Sequence, residues 1–192
     1  MTARRAGGCL LFLVSLILLL LIVGFALGTA AQGYEAPWIS VPIGLPLVAA
    51  LIPTAWALWA GRRVRPVAGM ALAGAALGYG LSLTLLTWGI AGGVAKRTDW
   101  LAGTAFIALL PFPPGILLFA FLAWLLLRRQ GIPAAPFLFL GIALSFAAAW
   151  AGLWVYFPRL WGDPEAWPVH AFFLIPALLV LGMGMTLGRA RR

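Results

Sequence analysis

Leu10-Leu11-Phe12-Leu13-Val14-Ser15-Leu16-Ile17-Leu18-Leu19-Leu20-Leu21-Ile22-Val23-Gly24-Phe25-Ala26-Leu27 carries one hydroxyl and no charge. As a helix rising 1.5 Å per residue it reaches about 27 Å, close to the roughly 30 Å of hydrocarbon in a bilayer. A transmembrane barrel would instead show strands of about ten residues with alternating polarity. Five further apolar runs follow, and the six predicted spans are 10–30, 39–60, 67–94, 103–127, 136–157 and 169–187. The predicted fold class is all-α: a polytopic integral membrane helical bundle, read as a single transmembrane domain over 1–192.

Composition points the same way. The 192 residues are 64% hydrophobic and 9% charged, whereas a soluble domain carries charge at about a quarter of its positions. Too few polar side chains exist to clothe a water-facing surface. In lipid, every backbone N–H and C=O must be paired internally, which helices achieve without help from neighbours.

The net charge of +9 is distributed in clusters. Arg4 and Arg5 precede the first span, Arg62, Arg63 and Arg65 separate the second from the third, Arg128 and Arg129 separate the fourth from the fifth, and Arg189, Arg191 and Arg192 follow the sixth. Six spans place all of these at one face. Lys96, Arg97, Arg159 and every acid in the chain (Glu35, Asp99, Asp163, Glu165) fall at the other. Basic residues stay behind during insertion, so the arginine-rich face is cytoplasmic and both termini are inside. A bacterial cytoplasmic membrane is the expected location. This pattern accounts for the basic charge without nucleic acid. Arg4-Arg5 followed by an apolar run and Gly28-Thr29-Ala30-Ala31 also has the elements of a signal peptide, but a signal's apolar region is about 7–15 residues and this one is longer, so span one is expected to be retained.

Helix association in lipid relies on close backbone approach, which small residues permit. Gly24 and Gly28, Gly74 and Gly78, and Gly184 and Gly188 each form a small-xxx-small pair, and these are the expected helix-packing positions, within the chain or toward other membrane proteins. Pro111, Pro113 and Pro114 are expected to break span four, leaving 99–110 as a separate outer segment. The two halves share a Pro-rich start and an Ala-Trp-rich end (Pro42 to Trp59 against Pro133 to Trp154), a likeness that abundant Pro, Ala and Trp can produce by chance.

No Asp, Glu, Lys, Arg or His lies in the middle of a span. Proton relays, ion-coupled pumps and voltage sensors need such groups, so these roles are disfavoured. Cys9 stands alone, His170 is the one histidine, and no phosphate-binding loop or metal-ligand spacing occurs; no cofactor or metal is expected. Ten tryptophans, most of them near a predicted membrane boundary, read first as interfacial anchors. The set at the outer boundary is richer than anchoring needs. Trp88, Trp100 and Trp154, with Tyr79 and His170, are therefore the candidate substrate-binding residues of an outer aromatic cleft.

Gly80-Leu81-Ser82-Leu83 partly resembles the Gly-x-Ser-Gly of rhomboid proteases, which would imply a Ser82 nucleophile served by His170. The resemblance covers three positions. Leu83 replaces the second glycine, and the serine lies in the third span instead of the fourth. Three functions compete: a non-enzymatic accessory subunit packing against other membrane proteins, a substrate-binding or permease component for a small neutral or hydrophobic solute, and an intramembrane serine hydrolase. The second is similar to the membrane subunits of vitamin importers in span count and length alone.

Overall fold

The computed structural model describes residues 3–31, 40–94, 109–158 and 162–189. Its elements are α1 (Ala3–Ala31), α2 (Ser40–Trp59), α3 (Val64–Val94), α4 (Phe112–Leu127), α5 (Ala135–Tyr156) and α6 (Trp167–Arg189), with a 3-10 turn at Pro164–Ala166 leading into α6. No strand occurs among the described residues. Four stretches are long and apolar enough to cross a membrane: Arg5–Gly28, Val64–Ala91, Ala135–Tyr156 and Pro164–Arg189. Gly44–Trp59 and Phe112–Leu127 are apolar but shorter.

Cross-helix contacts fix the order. Gly8 lies against Ala55 and Trp59, and Gly44 against Ile22, so α1 and α2 are antiparallel. Gly74 meets Ala49 and Gly78 meets Pro46, so α2 and α3 are too. Gly69 abuts Leu127, which runs α4 against α3. Trp124 bonds Thr186, and Phe139 meets Gly184, placing α6 beside both α4 and α5. The helices alternate up and down. α3, α4, α6 and α5 close a four-membered ring, α2 flanks α3, and α1 packs on α2 at the periphery. Arg62, Arg63, Arg65, Arg128, Arg129 and Arg189 therefore share one end with Arg5, while Asp163 and Glu165 sit at the other.

The ring has a heptad-like seam. Buried positions run Ile116, Ala120, Ala123, Leu127 in α4 and Ala135, Phe139, Ile142, Phe146, Ala149, Leu153 in α5, alternating steps of three and four. Such a stripe keeps one face toward neighbouring helices along the full length. Large Phe139 and Phe146 share one buried cluster with small Ala73, Ala76, Ala120 and Ala123. The outward faces are equally apolar: Leu118, Phe137, Leu144, Val155 and Leu178 are all more than half exposed.

The α2–α3 seam explains itself from proline chemistry. Pro46 and Pro53 lie inside α2. Each lacks an N–H, so the carbonyls one turn earlier, at Pro42 and Ala49, lose their helical donor. α3 packs close to both. The Ser82 hydroxyl lies within bonding distance of the Pro42 carbonyl as well as of its own helix's Gly78 carbonyl, at 2.8 Å. Gly74 lies so close to the Ala49 carbonyl that a methyl group there would overlap it, and a methyl on Gly78 would come 2.7 Å from the Leu45 carbonyl.

Within the expected span 103–127 the prolines stand at a helix start: residues 109–111 form a turn, α4 begins at Phe112 with Pro111 as its N-cap, Pro113 and Pro114 lie in its first turn, and the Gly115 N–H bonds the Pro111 carbonyl at 3.2 Å. First-turn N–H groups have no helical partner anyway, so proline is tolerated there. Whatever precedes the turn at Leu109 in the segment 95–108 lies outside the described residues, as does most of the outer segment 99–110. Of the small-xxx-small pairs, Gly74, Gly78 and Gly184 are in close contact, whereas a methyl on Gly24, Gly28 or Gly188 would meet nothing within 4 Å. Among the described residues nothing approaches those three positions closely.

Candidate functional site

At the end away from the arginines, the last turns of α5 and the first turns of α6 enclose an aromatic cleft. The 3-10 turn brings the chain back over it. Asp163 caps that turn by accepting the Glu165 N–H at 2.9 Å, and Pro164 in its first position suits the cap because its missing N–H is not needed. Trp150 and Trp154, one helical turn apart, project from the same face of α5 toward His170 on α6.

The three rings are mutually arranged. Trp150 Nε1 donates to His170 Nδ1 at 3.1 Å, which requires that nitrogen to be unprotonated. The Trp154 ring stacks on the imidazole with centroids 5.2 Å apart and planes within 4°, and the two indoles meet edge to face at 5.6 Å and 77°. Offset and edge-on pairs of this kind place the positive ring edge against a negative face. The imidazole is thus held on one side by a hydrogen bond and on its face by a ring. The cleft beside it has a volume of about 640 Å³ and is lined by Trp150, Trp154, Gly162, Asp163, Pro164, Trp167, His170 and Leu174. Trp167 is 67% exposed and stands at its edge. Indole and aliphatic surface dominates, with a carboxylate and an imidazole as the polar groups. Such a space suits a small, mainly apolar molecule with one hydrogen-bonding group. No family model matches this chain, and no curated protein or solved structure matches it.

The structure brings Trp154 and His170 together and places the other candidates elsewhere. Trp88 lies in the α3–α5 seam, donating from Nε1 to the Ala148 carbonyl at 2.8 Å and meeting Tyr156 edge to face at 6.2 Å. Its indole fills the space left by Gly152, where a methyl would overlap it. Tyr79 stacks on Phe119 at 5.6 Å between α3 and α4. Trp100 lies outside the described residues. Trp150, Asp163 and Trp167 complete the cleft without having been singled out. The i, i+4 spacing of Trp150 and Trp154 was the available signal, because it puts two indoles on one helical face.

Ser82 and His170 are not brought together. Ser82 is 1% exposed at the α2–α3 crossing, with its hydroxyl directed at the Pro42 and Gly78 carbonyls. It does not line the cleft that holds His170. A donor tied to carbonyls is the reverse of a nucleophile bonded to a base. Among the described residues no group of three His, Cys, Asp or Glu side chains could hold a metal ion.

Proposed function

We propose that the chain is a six-span protein of a bacterial cytoplasmic membrane with both termini cytoplasmic, and that it binds a small neutral or hydrophobic solute in the aromatic cleft at its outer face. The alternating helices, with the arginines of the described residues at one end and both described acids at the other, support that orientation. The exposed leucines and phenylalanines of all outward faces fit acyl chains as solvent. α2 and α4 complete the six crossings.

The observation that carries the binding reading is the fixed imidazole between two indoles beside a cavity of about 640 Å³. Interfacial anchoring needs no such ring-to-ring order. A pre-ordered aromatic wall binds without the entropy cost of arranging itself. The lining is mainly indole and aliphatic surface, which supports binding, with or without translocation.

The test uses the full chain in nanodiscs, titrated with a panel of small aromatic and aliphatic solutes and followed by tryptophan fluorescence. A saturable change is expected for at least one solute. Trp154→Leu and Trp167→Leu should weaken it about tenfold or more, since each removes ring contact worth roughly 1–2 kcal/mol. Trp88→Phe, in the neighbouring seam, should leave it intact. If no solute gives saturation, or if all three variants respond as the parent does, the cleft is an anchor and nothing more.

A second reading rests on α1. Only 11% of its most apolar stretch is buried, and Leu10, Leu20, Leu21 and Phe25 are each more than 60% exposed. A helix that packs mainly on α2 and leaves this much apolar surface open supports a non-enzymatic accessory role in which α1 docks other membrane proteins. Purification in mild detergent at native abundance discriminates: reproducible partners support it, and a lone monomer counts against it.

A further inference from the structure

Two turns meet at the arginine-rich end. Both are made by glycine in the left-handed region, Gly61 at φ 70° and Gly131 at φ 56°. Between them lies a cavity of about 320 Å³, lined by Gly61, Arg62, Arg63, Pro66, Gln130 and Ile132. Pro66 and Ile132 are buried and give it an apolar wall, whereas Arg63 is exposed and Arg62 and Gln130 are half-buried. Arg65, Arg128 and Arg129, all exposed, adjoin the lining residues in sequence. No acidic side chain of the described residues stands at this end.

Orienting the chain in a membrane requires a count of positive charges, not their convergence on a cavity. The charge rule would be met equally by arginines splayed into water. Here Arg62 and Arg63 of the α2–α3 turn and Gln130 of the α4–α5 turn line one half-open space. Guanidinium forks match phosphate oxygens two at a time, which a point charge does not. The wall of Pro66 and Ile132 has no use for a free, fully hydrated anion, but it suits the glycerol and first methylenes of a lipid. In a bilayer this end lies at headgroup depth, where lipid phosphate is abundant.

We infer that this cavity binds the headgroup of an anionic phospholipid, with Arg62 and Arg63 on the phosphate and Gln130 on a headgroup hydroxyl. The inference needs the chain to be embedded in a bilayer. It does not depend on the aromatic cleft, which lies at the opposite end.

The experiment is native mass spectrometry of the full chain from nanodiscs of mixed phosphatidylglycerol and phosphatidylcholine, reading which lipid stays bound. Retention of phosphatidylglycerol over phosphatidylcholine is expected. A basic residue at a membrane surface contributes about fivefold in affinity by general attraction, so Arg128→Gln with Arg129→Gln, which removes charge beside the cavity, should lower phosphatidylglycerol retention about 25-fold. Arg62→Gln with Arg63→Gln removes the same charge and also the paired guanidinium bonds, and should lower it by about tenfold or more beyond that. Arg62→Lys with Arg63→Lys keeps the charge that orients the chain, so a loss in that variant reports the lost guanidinium geometry and not an inverted protein. Equal losses in the two glutamine pairs would reduce the site to general surface attraction and overturn the inference. So would equal retention of both lipids by the parent. Displacement of the lipid by millimolar inorganic phosphate would assign the cavity to a free anion instead.

Discussion

α1 and α3 are both long apolar helices carrying glycines four residues apart, yet they have opposite surroundings. α3 touches α2, α4 and α5, and half of its most apolar stretch is buried; α1 packs on α2 and is 11% buried over the corresponding stretch. Gly74 and Gly78 press on the backbone of α2, while Gly24 and Gly28 face open space. The spacing is the same, so the spacing is a permission and not an instruction. What decides is the opposite helix. α2 carries two carbonyls stripped of their donors by Pro46 and Pro53, and the lack of side chains at Gly74 and Gly78 lets α3 come close enough for Ser82 to reach the one at Pro42.

The largest effect expected from this contrast is at Gly74 and Gly78. Replacing a helical glycine by alanine gains up to about 1 kcal/mol of helix propensity. Forcing a methyl into a closed contact costs about 1–3 kcal/mol. At Gly74 the methyl meets backbone, which cannot rotate away, so the clash prevails. Gly74→Ala with Gly78→Ala should lower stability by about 2 kcal/mol in a denaturant titration in detergent, from two mid-range clashes less about 1 kcal/mol of helix propensity at each site. A pair as stable as the parent would mean that α2 and α3 do not cross as described.

Next in size is Ser82→Ala. It leaves the Pro42 carbonyl with neither a helical donor nor a side-chain donor. Hydrogen bonds between membrane helices average about 0.6 kcal/mol and reach about 1.7, and the upper part of that range is expected here because the carbonyl has no alternative. Ser145→Ala is the control, since Ser145 bonds the Ile142 carbonyl of its own helix at 2.7 Å and gives up little across the seam. Equal losses would show that Ser82 is an ordinary back-bonded serine. Ser82 should also remain inert to serine-directed probes.

How much of this was legible in the sequence follows from the range of each interaction. The helix positions came from runs of apolar residues, a local signal: the expected span 136–157 is α5 at Ala135–Tyr156, and 169–187 is α6 at Trp167–Arg189. The separation of Arg62, Arg63, Arg128 and Arg129 from Asp163 and Glu165 is also local, because it needs only a count of crossings. The pairing of Ser82 with Pro42, 40 residues away, was not readable. Nor was the fate of the prolines around Phe112, since proline breaks a helix from inside and starts one from its first turn, and the sequence does not say which applies. Of the aromatic candidates, Trp154 and His170 met because their helices are consecutive and antiparallel. Trp88, equally close to the boundary, was drawn instead into the groove that Gly152 leaves on α5.

The smallest effect belongs to the open helix, and it sharpens the contrast most. Gly24→Leu with Gly28→Leu adds two large side chains where a first methyl meets nothing within 4 Å. In the isolated chain the clash term is absent, and leucine has nearly alanine's helix propensity, so stability should stay level or rise by up to about 1 kcal/mol per site. The same pair has a different consequence if α1 docks a neighbour. Two leucines would hold the partner's backbone away from the small-residue face, and co-purification would fail while the monomer stayed intact. Unchanged stability with lost partners would make the face of Gly24 and Gly28 an intermolecular counterpart of the one at Gly74 and Gly78. Unchanged stability with unchanged co-purification would leave lipid as the neighbour of α1. A substantial loss of stability would contradict the peripheral position of α1, because only a helix already pressed against the rest of the chain has anything there to displace.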